Sequence, residues 1–266
     1  MPHAVLSEVN CILLEGSDAR RFAHAQFSGD AAALALGQWQ WNAWLDAQGR
    51  VQALMHLART GDECLLAILR GGNVERTRAG LAHYLLRAKA SLTARIFSGH
   101  AGGPLPMGRL ETGAKDVITI GYGDRSLRLQ AVDGASPGEA AANAWRLADI
   151  RAGWPVLPTG DARFLPPALA LERLGAVSLD KGCYPGQEIV ARLHWRGGHK
   201  FNLCHVRGPA ILEPGTTLES ADGPIQVLDC AMAEGRAEAL VVAPKTDTST
   251  LNILENNYDV VSRYNA

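Results

Sequence analysis

Net charge is the first thing that this sequence lacks. Its 26 lysine and arginine residues are matched by 27 aspartate and glutamate residues, so the formal charge is −1 at pH 7. A chain this close to neutrality creates no global field that would draw it to a membrane or to nucleic acid. One small basic run supports at best weak, salt-sensitive binding of nucleic acid. We therefore expect no membrane partner and no strong nucleic-acid partner.

Long apolar runs are also missing. No window approaches the roughly 18 uncharged apolar residues of a membrane-spanning helix, and no basic segment at the N-terminus leads into an apolar run. These absences predict a cytoplasmic protein. The 266 residues, of which 47% are hydrophobic, are enough to bury a sizeable core in one large domain or several small ones.

Paired cysteines are absent as well. The five cysteines are odd in number and far apart, with no C-x-x-C and no paired Cys/His spacing. That pattern argues against a disulfide framework, a structural zinc ion and a cysteine-ligated iron–sulfur cluster on this chain. We predict no metal site, and any iron–sulfur chemistry would involve a second protein.

One stretch is dense in chemical groups. It extends from Leu179 to Lys200 with the sequence LDKGCYPGQEIVARLHWRGGHK. Its glycines and proline interrupt regular structure, whereas Gln187 to Trp195 has the apolar spacing of a short helix. Cys183 lies just before that helix, where the helix dipole and Lys181 favour a thiolate. The alternative interpretation is a small buried cysteine beside an ordinary turn.

Three tryptophans occur in a segment with the alternation of a strand, from Trp39 to Leu45. Residues 46–49 then predict a turn into a second strand around Val51 to Ala58, which gives a hairpin. The tryptophans either pack in the core or form a wall for a flat heterocycle, since stacked aromatic pairs contribute about 0.5–1.5 kcal/mol beyond area burial. They are Trp39, Trp41 and Trp44.

The rest of the chain alternates helices and strands. Residues 63–132 predict strands around a helix from Val74 to about Lys89, which is typical of a split ferredoxin-like sheet. A further helix is predicted from about Ser136 to Arg151. Short apolar segments after Phe201 predict a small β-barrel, and residues 245–266 are polar enough for partial disorder.

Three of these segments carry a family resemblance. The octet KGCYPGQE at 181–188, the run FLPPALALE at 164–172 and the N-terminal LLEGSDARRFAHAQFSGD are similar to one group of proteins. They resemble the YgfZ branch of the folate-binding proteins related to the aminomethyltransferase, or T-protein, of the glycine cleavage system. The octet is the specific part of the resemblance.

The resemblance implies an α+β fold of three domains in a ring around a funnel that holds a reduced folate. Carried onto this chain, a discontinuous folate-binding domain comprises residues 1–47 and 136–202. An inserted ferredoxin-like domain comprises residues 48–135, and a C-terminal β-barrel comprises residues 203–266. The implied cofactor is tetrahydrofolate or a one-carbon derivative of it.

The resemblance also implies the site residues. Five octet residues would lie at the funnel wall and bind folate: Lys181, Cys183, Tyr184, Gln187 and Glu188. Among them, Cys183 as a thiolate and Lys181 are the candidate catalytic pair. The predicted folate-binding set is completed by Arg192, Trp41 and Arg151. Arg192 belongs to the basic run, which either holds the carboxylates of a folate tail or is a solvated face.

Two positions depart from the T-protein pattern. The hairpin that supplies the T-protein aspartate corresponds here to Gly49–Leu54, which has no carboxylate, and Arg151 takes the place of a glutamate. Without an acid or base in reach of the reacting nitrogen, proton transfer loses roughly two to four orders of magnitude. The sequence therefore argues against the aminomethyltransferase reaction.

The resemblance then implies a folate-binding accessory protein that supports assembly or repair of iron–sulfur clusters in client enzymes, including enzymes that modify tRNA. Its partners would be folate and those iron–sulfur client enzymes or assembly proteins. The alternative is a folate-dependent one-carbon transferase or demethylase in which Glu188, Lys181 and Tyr184 carry protons. A third possibility is a scaffold that binds only partner proteins.

Overall fold

The computed structural model describes residues 4–132, 134, 136–160 and 163–265, and it contains two antiparallel sheets. The first sheet has eight strands in the order β2-β3-β4-β1-β5-β8-β7-β6. They are β1 (Val5–Glu15), β2 (Trp39–Leu45), β3 (Val51–Gly61), β4 (Cys64–Leu69), β5 (Ser91–Gly102), β6 (Leu110–Thr112), β7 (Ile118–Gly121) and β8 (Ser126–Ala131). The predicted tryptophan hairpin is confirmed as the pair β2–β3.

Strand β1 was not predicted, although it lies near the middle of the first sheet. It pairs with β4 on one side and with β5 on the other. Cys11, Ile12 and Leu14 are fully buried. A strand that is covered on both faces has consecutive apolar residues instead of strict alternation, so the period-two signal is lost.

Among the described residues, four α-helices pack on the sheets: α1 (Ala19–Gln26), α2 (Val74–Ala82), α3 (Glu139–Ala152) and α4 (Gln187–Arg196). α2 stops before the predicted Lys89, and Leu86 then takes a left-handed backbone conformation that a helix cannot continue through. α3 begins later than the predicted Ser136, because Gly138 has an extended backbone with φ −78° and ψ 109°. Its N–H is bonded to the Val5 carbonyl of β1. None of the described helices is long and apolar enough to cross a membrane.

The second sheet is built from the C-terminal part of the chain, and its order is β10-β11-β12-β9-β14-β13. Its six strands are β9 (Phe201–Gly208), β10 (Thr217–Leu218), β11 (Ile225–Ala233), β12 (Arg236–Pro244), β13 (Thr250–Ile253) and β14 (Asn256–Tyr264). The prediction of partial disorder after residue 245 is wrong for the described residues. β13 and β14 pair with each other, β14 also pairs with β9, and Tyr258 is buried between them and the core.

Helix α3 joins the two sheets. It contacts β1 in the first sheet and both β11 and β12 in the second. Its fully buried Ile150 belongs to one core cluster together with Ile68 of β4 and Leu228 of β11. The fold is therefore mixed α and β and rich in strands. The three domains and their boundaries stay a prediction, and the boundary between residues 47 and 48 falls within the β2–β3 hairpin.

Candidate functional site

A cavity of about 500 Å³ lies at the junction of the two sheets, and we call it the central cavity. Residues of β1, the end of β4, α3 and β11 line it, so the elements that join the sheets also enclose the cavity. Concave sites of this size with a few convergent polar groups are where small ligands usually bind. The central cavity is therefore the first candidate site.

Aromatic rings form one side of the central cavity. Tyr122 and Trp145 line it with their ring centroids 5.7 Å apart, and His56 lines it beside them. The Tyr122 hydroxyl lies 2.9 Å from His56 Nδ1. Burial lowers the pKa of His56 well below its ordinary value, and the charge of Arg70 lowers it further. His56 is therefore a neutral hydrogen-bonding member of the wall.

The predicted tryptophan hairpin forms the layer behind this wall. Trp41 is buried, and its ring centroid lies 4.2 Å from that of His56 and 5.6 Å from that of Trp154. Trp39 packs against the same histidine at 4.4 Å. Trp44 packs on the other face of the sheet, against the second core cluster. Core packing is the interpretation that fits these tryptophans, and Trp41 supports the cavity wall from behind.

A buried ion network lies at the edge of the central cavity. Asp149 of α3 accepts hydrogen bonds from Arg70 at 2.8 Å and from Arg125 at 2.5 Å. The Arg125 guanidinium also lies over the rings of Trp145 and Trp154, at 4.7 and 5.3 Å from their centroids. The two arginines and the carboxylate hold one another in place, so this edge of the cavity is ordered in advance of any ligand.

A second buried carboxylate, Asp229 of β11, also lines the central cavity. Its Oδ1 accepts a hydrogen bond from the N–H of Cys230 at 2.9 Å. Burial raises the pKa of Asp229 to about 6, against the opposing effects of the Cys230 N–H and of Arg146. Asp229 is not among the residues predicted from the sequence, and the available signal was a lone charge inside the apolar strand IQVLDCAMA.

The predicted octet lies apart from the central cavity. Lys181 is buried, and its ammonium donates hydrogen bonds to the carbonyls of His24, Phe27 and Gly29. Burial lowers the pKa of Lys181 to about 8 and Asp30 opposes that shift, so the amine is still protonated at neutral pH. With its three N–H groups occupied at the end of α1, the lysine has no donor left for folate or for catalysis in this conformation.

The next octet residues form a loop ahead of α4. Tyr184 is buried with its ring under the Lys181 ammonium, 4.9 Å from the ring centroid. Its hydroxyl donates to the Ser178 carbonyl at 3.2 Å, and burial raises the pKa of Tyr184 to about 12. Cys183, between these two buried residues, is exposed. The loop is thus anchored on both sides of the thiol that it presents to solvent.

Gly186 ties this loop to the turn of the β2–β3 hairpin. Its φ is +78°, and a Cβ there would lie 2.5 Å from the Asp46 carbonyl oxygen and 2.7 Å from Gly49 Cα. Only glycine fits both the left-handed conformation and the close backbone approach. The hairpin turn therefore fixes where α4 begins and, through it, the loop that carries Cys183.

The remaining predicted residues lie at different places in the fold. Glu188 and Arg192 are exposed on α4, and Gln187 is partly buried with its amide 3.5 Å from an octet carbonyl. Arg151 has a side chain that is 54% exposed and forms a two-bond ion pair with Glu238, at 2.7 and 2.9 Å. All eight predicted residues belong to the described part of the chain, and none of them lines the central cavity.

The cysteines differ sharply in their surroundings. Cys183 is exposed and Cys64 is partly buried, whereas Cys11, Cys204 and Cys230 are buried. Burial raises the pKa of each of these three buried thiols. Within residues 4–132, 134, 136–160 and 163–265, no group of three or more His, Cys, Asp or Glu side chains is arranged to hold a metal ion. Cys183 is therefore the thiol that a partner reaches most easily.

Curated proteins that are similar to this chain include several named tRNA-modifying protein YgfZ. The one from Cronobacter sakazakii is 29% identical over 241 residues, which cover 79% of this chain and 73% of the relative. The one from Escherichia coli is 28% identical over 236 residues, which cover 77% and 72%. An uncharacterized protein of Haemophilus influenzae is 29% identical over 203 residues, which cover 73% and 69%. No protein-family model matches the chain.

A solved structure shares the fold. The crystal structure of the glycine cleavage system aminomethyltransferase T from Bartonella henselae matches 99% of this chain and 88% of its own, with a TM-score of 0.74 and 17% identity. At that identity the likeness concerns the fold alone. The resemblance to the YgfZ proteins and to the T-protein, which the octet first indicated, is confirmed.

Proposed function

Because the chain is a homologue of the YgfZ proteins and has the fold of aminomethyltransferase T, we propose that it is a folate-binding accessory protein. It binds tetrahydrofolate or a one-carbon derivative and supports assembly or repair of iron–sulfur clusters in client enzymes. The name of its relatives, tRNA-modifying protein, supports clients that act on tRNA. The protein acts in the cytoplasm, and its partners are these clients or the proteins that assemble their clusters.

The central cavity is the observation that carries this proposal. Its volume of about 500 Å³ suits a drug-sized ligand such as a folate. Tyr122 and Trp145 line the cavity with aromatic rings, which suit a flat heterocycle, and Asp229 lines it with a hydrogen-bond acceptor. Bound folate would supply the one-carbon chemistry of its reduced ring. The chain's own residues would bind it, orient it and exclude water.

The octet supports the accessory role from outside the cavity. Cys183 is an exposed thiol on an anchored loop, and a thiolate is both a soft metal ligand and a partner for mixed disulfides. Lys181 and Tyr184 hold that loop through their buried hydrogen bonds. Roles of Glu188 and Arg192 in folate binding stay predictions, as do those of Gln187, Trp41 and Arg151.

A folate-dependent one-carbon transferase or demethylase is the second candidate, and Asp229 is the observation that favours it. A cavity carboxyl group with a pKa of about 6 is suited to act as a general acid or base near neutral pH. The proton carriers predicted from the sequence support this candidate less well. Lys181 has its donors occupied, and neither Tyr184 nor Glu188 lines the central cavity.

Calorimetry with tetrahydrofolate tests the folate part of the proposal. We expect saturable binding by the purified protein and a large loss of affinity in Trp145→Ala, which removes one ring of the cavity wall. Trp195→Ala is the matched control, because Trp195 is 77% exposed on α4 and outside the cavity. No binding by the wild-type protein would contradict the proposal and leave the partner-binding scaffold.

The client part is tested in cells. Activity of iron–sulfur enzymes that thiolate tRNA should fall when the gene is deleted, most clearly under oxidative stress. Wild-type protein should restore that activity and Cys183→Ser should not. Normal activity in the deletion strain would refute the accessory role.

The one-carbon transferase or demethylase is tested with purified protein, methylene- or formyl-tetrahydrofolate and candidate amines. Turnover that is lost in Asp229→Asn would favour the one-carbon enzyme.

A further inference from the structure

We propose that Asp229 is the residue that selects the ligand of the central cavity, by accepting hydrogen bonds from two adjacent N–H groups on a flat heterocycle. The ligand class is a ring with an N–H beside an exocyclic amino group, as on the aminopyrimidine edge of a pterin. This inference rests on the proposed folate-binding function. It deepens that function by assigning the Asp229 carboxylate to the N–H edge of the ligand ring.

The Asp229 carboxylate has hydrogen-bond acceptor sites that the protein leaves unused. A carboxylate has about four lone-pair sites, and one of them accepts the N–H of Cys230 at 2.9 Å. Across the described residues, no side chain donates a hydrogen bond to Asp229 or forms an ion pair with it. The residue is nevertheless buried, at 9% exposure, and it lines the cavity. A buried carboxylate that accepts only one hydrogen bond from the protein is stabilised by any donor that a ligand brings.

Asp229 differs from the other carboxylates of the cavity wall, Glu8 and Asp149. Glu8 is exposed, so water solvates it. Asp149 is buried, but its two oxygens accept hydrogen bonds from Arg70 and Arg125. Asp229 alone among the three is both buried and without a cationic hydrogen-bond donor. It is therefore the carboxylate of this wall with the strongest need for a ligand donor.

The charges around Asp229 favour a neutral pair of ligand N–H groups over a ligand cation. Charged groups on neighbouring elements act on Asp229, namely Arg146 and Asp149 of α3 and Arg70 after β4. Glu8 of β1 and His56 of β3 line the same cavity, and Cys230 on its own strand provides a backbone N–H. Arg146 and Arg70 already provide positive charge that acts on Asp229. A further cation would meet their repulsion, whereas a neutral pair of N–H groups supplies donors without adding charge.

The aromatic rings of the cavity wall indicate the shape of the ligand. Tyr122 and Trp145 line the same cavity, with their centroids 5.7 Å apart. Burial keeps the Tyr122 hydroxyl un-ionised by raising its pKa, so these two rings carry no negative charge of their own. Aromatic rings in the same cavity as a carboxylate that has few donors suit a flat ring whose edge carries donors. The ligand that satisfies both features is a heterocycle of the aminopyrimidine type.

The test combines a change in the protein with a change in the ligand. Calorimetry would compare tetrahydrofolate with its analogue that lacks the 2-amino group, on wild-type protein and on Asp229→Asn. We expect wild-type protein to prefer tetrahydrofolate by about tenfold or more, because hydrogen bonds to a charged acceptor are strong. Asp229→Asn should bind tetrahydrofolate about as weakly as the wild type binds the analogue. Asp259→Asn, an exposed carboxylate on β14 of the same sheet, should behave as wild type.

A pH series supplies a readout that a purely structural role would not move. Since the ionised carboxylate is the acceptor, wild-type preference for tetrahydrofolate over the analogue should shrink as the pH falls through about 6, the pKa that burial gives Asp229. In Asp229→Asn the ratio of the two affinities should not change with pH. A ratio that is equally pH-independent in the wild type would overturn the inference.

The outcomes separate this inference from the proposed function. If wild-type protein binds tetrahydrofolate and Asp229→Asn binds it equally well, the inference is overturned and the folate function stands. If wild-type protein binds no folate, the folate function fails, and the inference fails with it. If Asp229→Asn does not fold, the two ligands on wild-type protein still decide. Equal affinity for both of them would overturn the inference.

Discussion

At the scale of single residues, the exposed position of Cys183 has a chemical consequence. Iodoacetamide reacts with thiolates, and burial both shields the thiols of Cys11, Cys204 and Cys230 and raises their pKa. We expect Cys183 to be alkylated at least about tenfold faster than these three near neutral pH. Mass spectrometry of peptides at successive times measures the rates. Equal rates would show that the Cys183 loop is not presented to solvent.

A second residue-scale prediction is that Asp229→Asn stabilises the protein at neutral pH. Burial raises the pKa of Asp229 from 3.8 to about 6, so the folded state disfavours the charged form. Stability from the neutral carboxyl group is fully present below pH 3.8 and is lost as the pH rises to about 6. The asparagine oxygen still accepts the Cys230 N–H. We expect a gain of up to about 3 kcal/mol above pH 7.

Urea unfolding of both proteins, at a pH near 4 and at a pH above 7, measures this difference in the free energy of unfolding. The gain should be present above pH 7 and small near pH 4, where the carboxyl group is neutral in the folded state and only about half ionised in the unfolded state, whose pKa is 3.8. Lower stability of Asp229→Asn above pH 7 would mean that the carboxylate has a stabilising partner. A variant that is more stable but binds folate less tightly would separate the binding role of Asp229 from any structural one.

The sequence identified the octet but not the residues of the central cavity, and the reason is physical. The octet is contiguous, so its composition alone shows an unusual density of polar groups. The cavity residues Arg70, Tyr122, Trp145, Asp149 and Asp229 come from distant parts of the chain and meet only where α3 joins the sheets. Spacing along the sequence carries no signal for such a set.

The same limit explains the role of Lys181. Beside Cys183 in the sequence, its amine suggests activation of the thiol. In the fold, the side chain turns inward to three carbonyls at the end of α1, which no local pattern indicates. Sequence proximity therefore gave no sign of these carbonyl partners, although the resemblance that the octet carries is confirmed.

At the scale of elements, Lys181 fastens the end of α1 to the octet loop, and Lys181→Met should release it. The methionine fills a similar volume but leaves the carbonyls of His24, Phe27 and Gly29 without this donor. We expect a loss of about 3 kcal/mol in the free energy of unfolding, since each unsatisfied buried group costs roughly 1–3 kcal/mol. Urea unfolding measures the loss, and hydrogen exchange at α1 locates it.

The matched control for this prediction is Arg192→Met. It also removes a cation from the 179–200 stretch, but from the exposed face of α4. Its effect should stay within about 0.5 kcal/mol, as for surface substitutions in general. If Lys181→Met were as mild as the control, the carbonyls would have found other donors. The buried lysine would then be dispensable for the fold.

Element types were predicted better than element ends. The hairpin β2–β3 and the strand β4 follow from alternation and turn residues, and both lie where the sequence indicated. Ends depend on contacts that are remote in sequence. Gly138, for example, has an extended backbone and is bonded to the Val5 carbonyl of β1, and α3 starts only after it. Local propensity competes with such tertiary contacts and loses where they are strong.

At the scale of the whole molecule, the central cavity and the core share the same junction. One core cluster contains Ile68 of the first sheet, Ile150 of α3 and Leu228 of the second sheet. The Asp149 network connects α3 at the same place to Arg70, which directly follows β4 of the first sheet. A ligand in the cavity therefore contacts both sheets where they pack together through α3. Binding at this junction should stabilise the molecule as one unit.

This leads to a prediction about ligand linkage. Tetrahydrofolate at about 100 times its Kd should raise the free energy of unfolding by about 2.7 kcal/mol. Because the cavity wall comes from β1, the end of β4, α3 and β11, slower hydrogen exchange should appear in both sheets and not in one alone. Thermal unfolding measures the gain, and exchange followed by mass spectrometry locates it. Trp145→Ala should show neither effect at the same concentration, whereas Trp195→Ala should show both. Protection confined to the second sheet would place the ligand outside the junction.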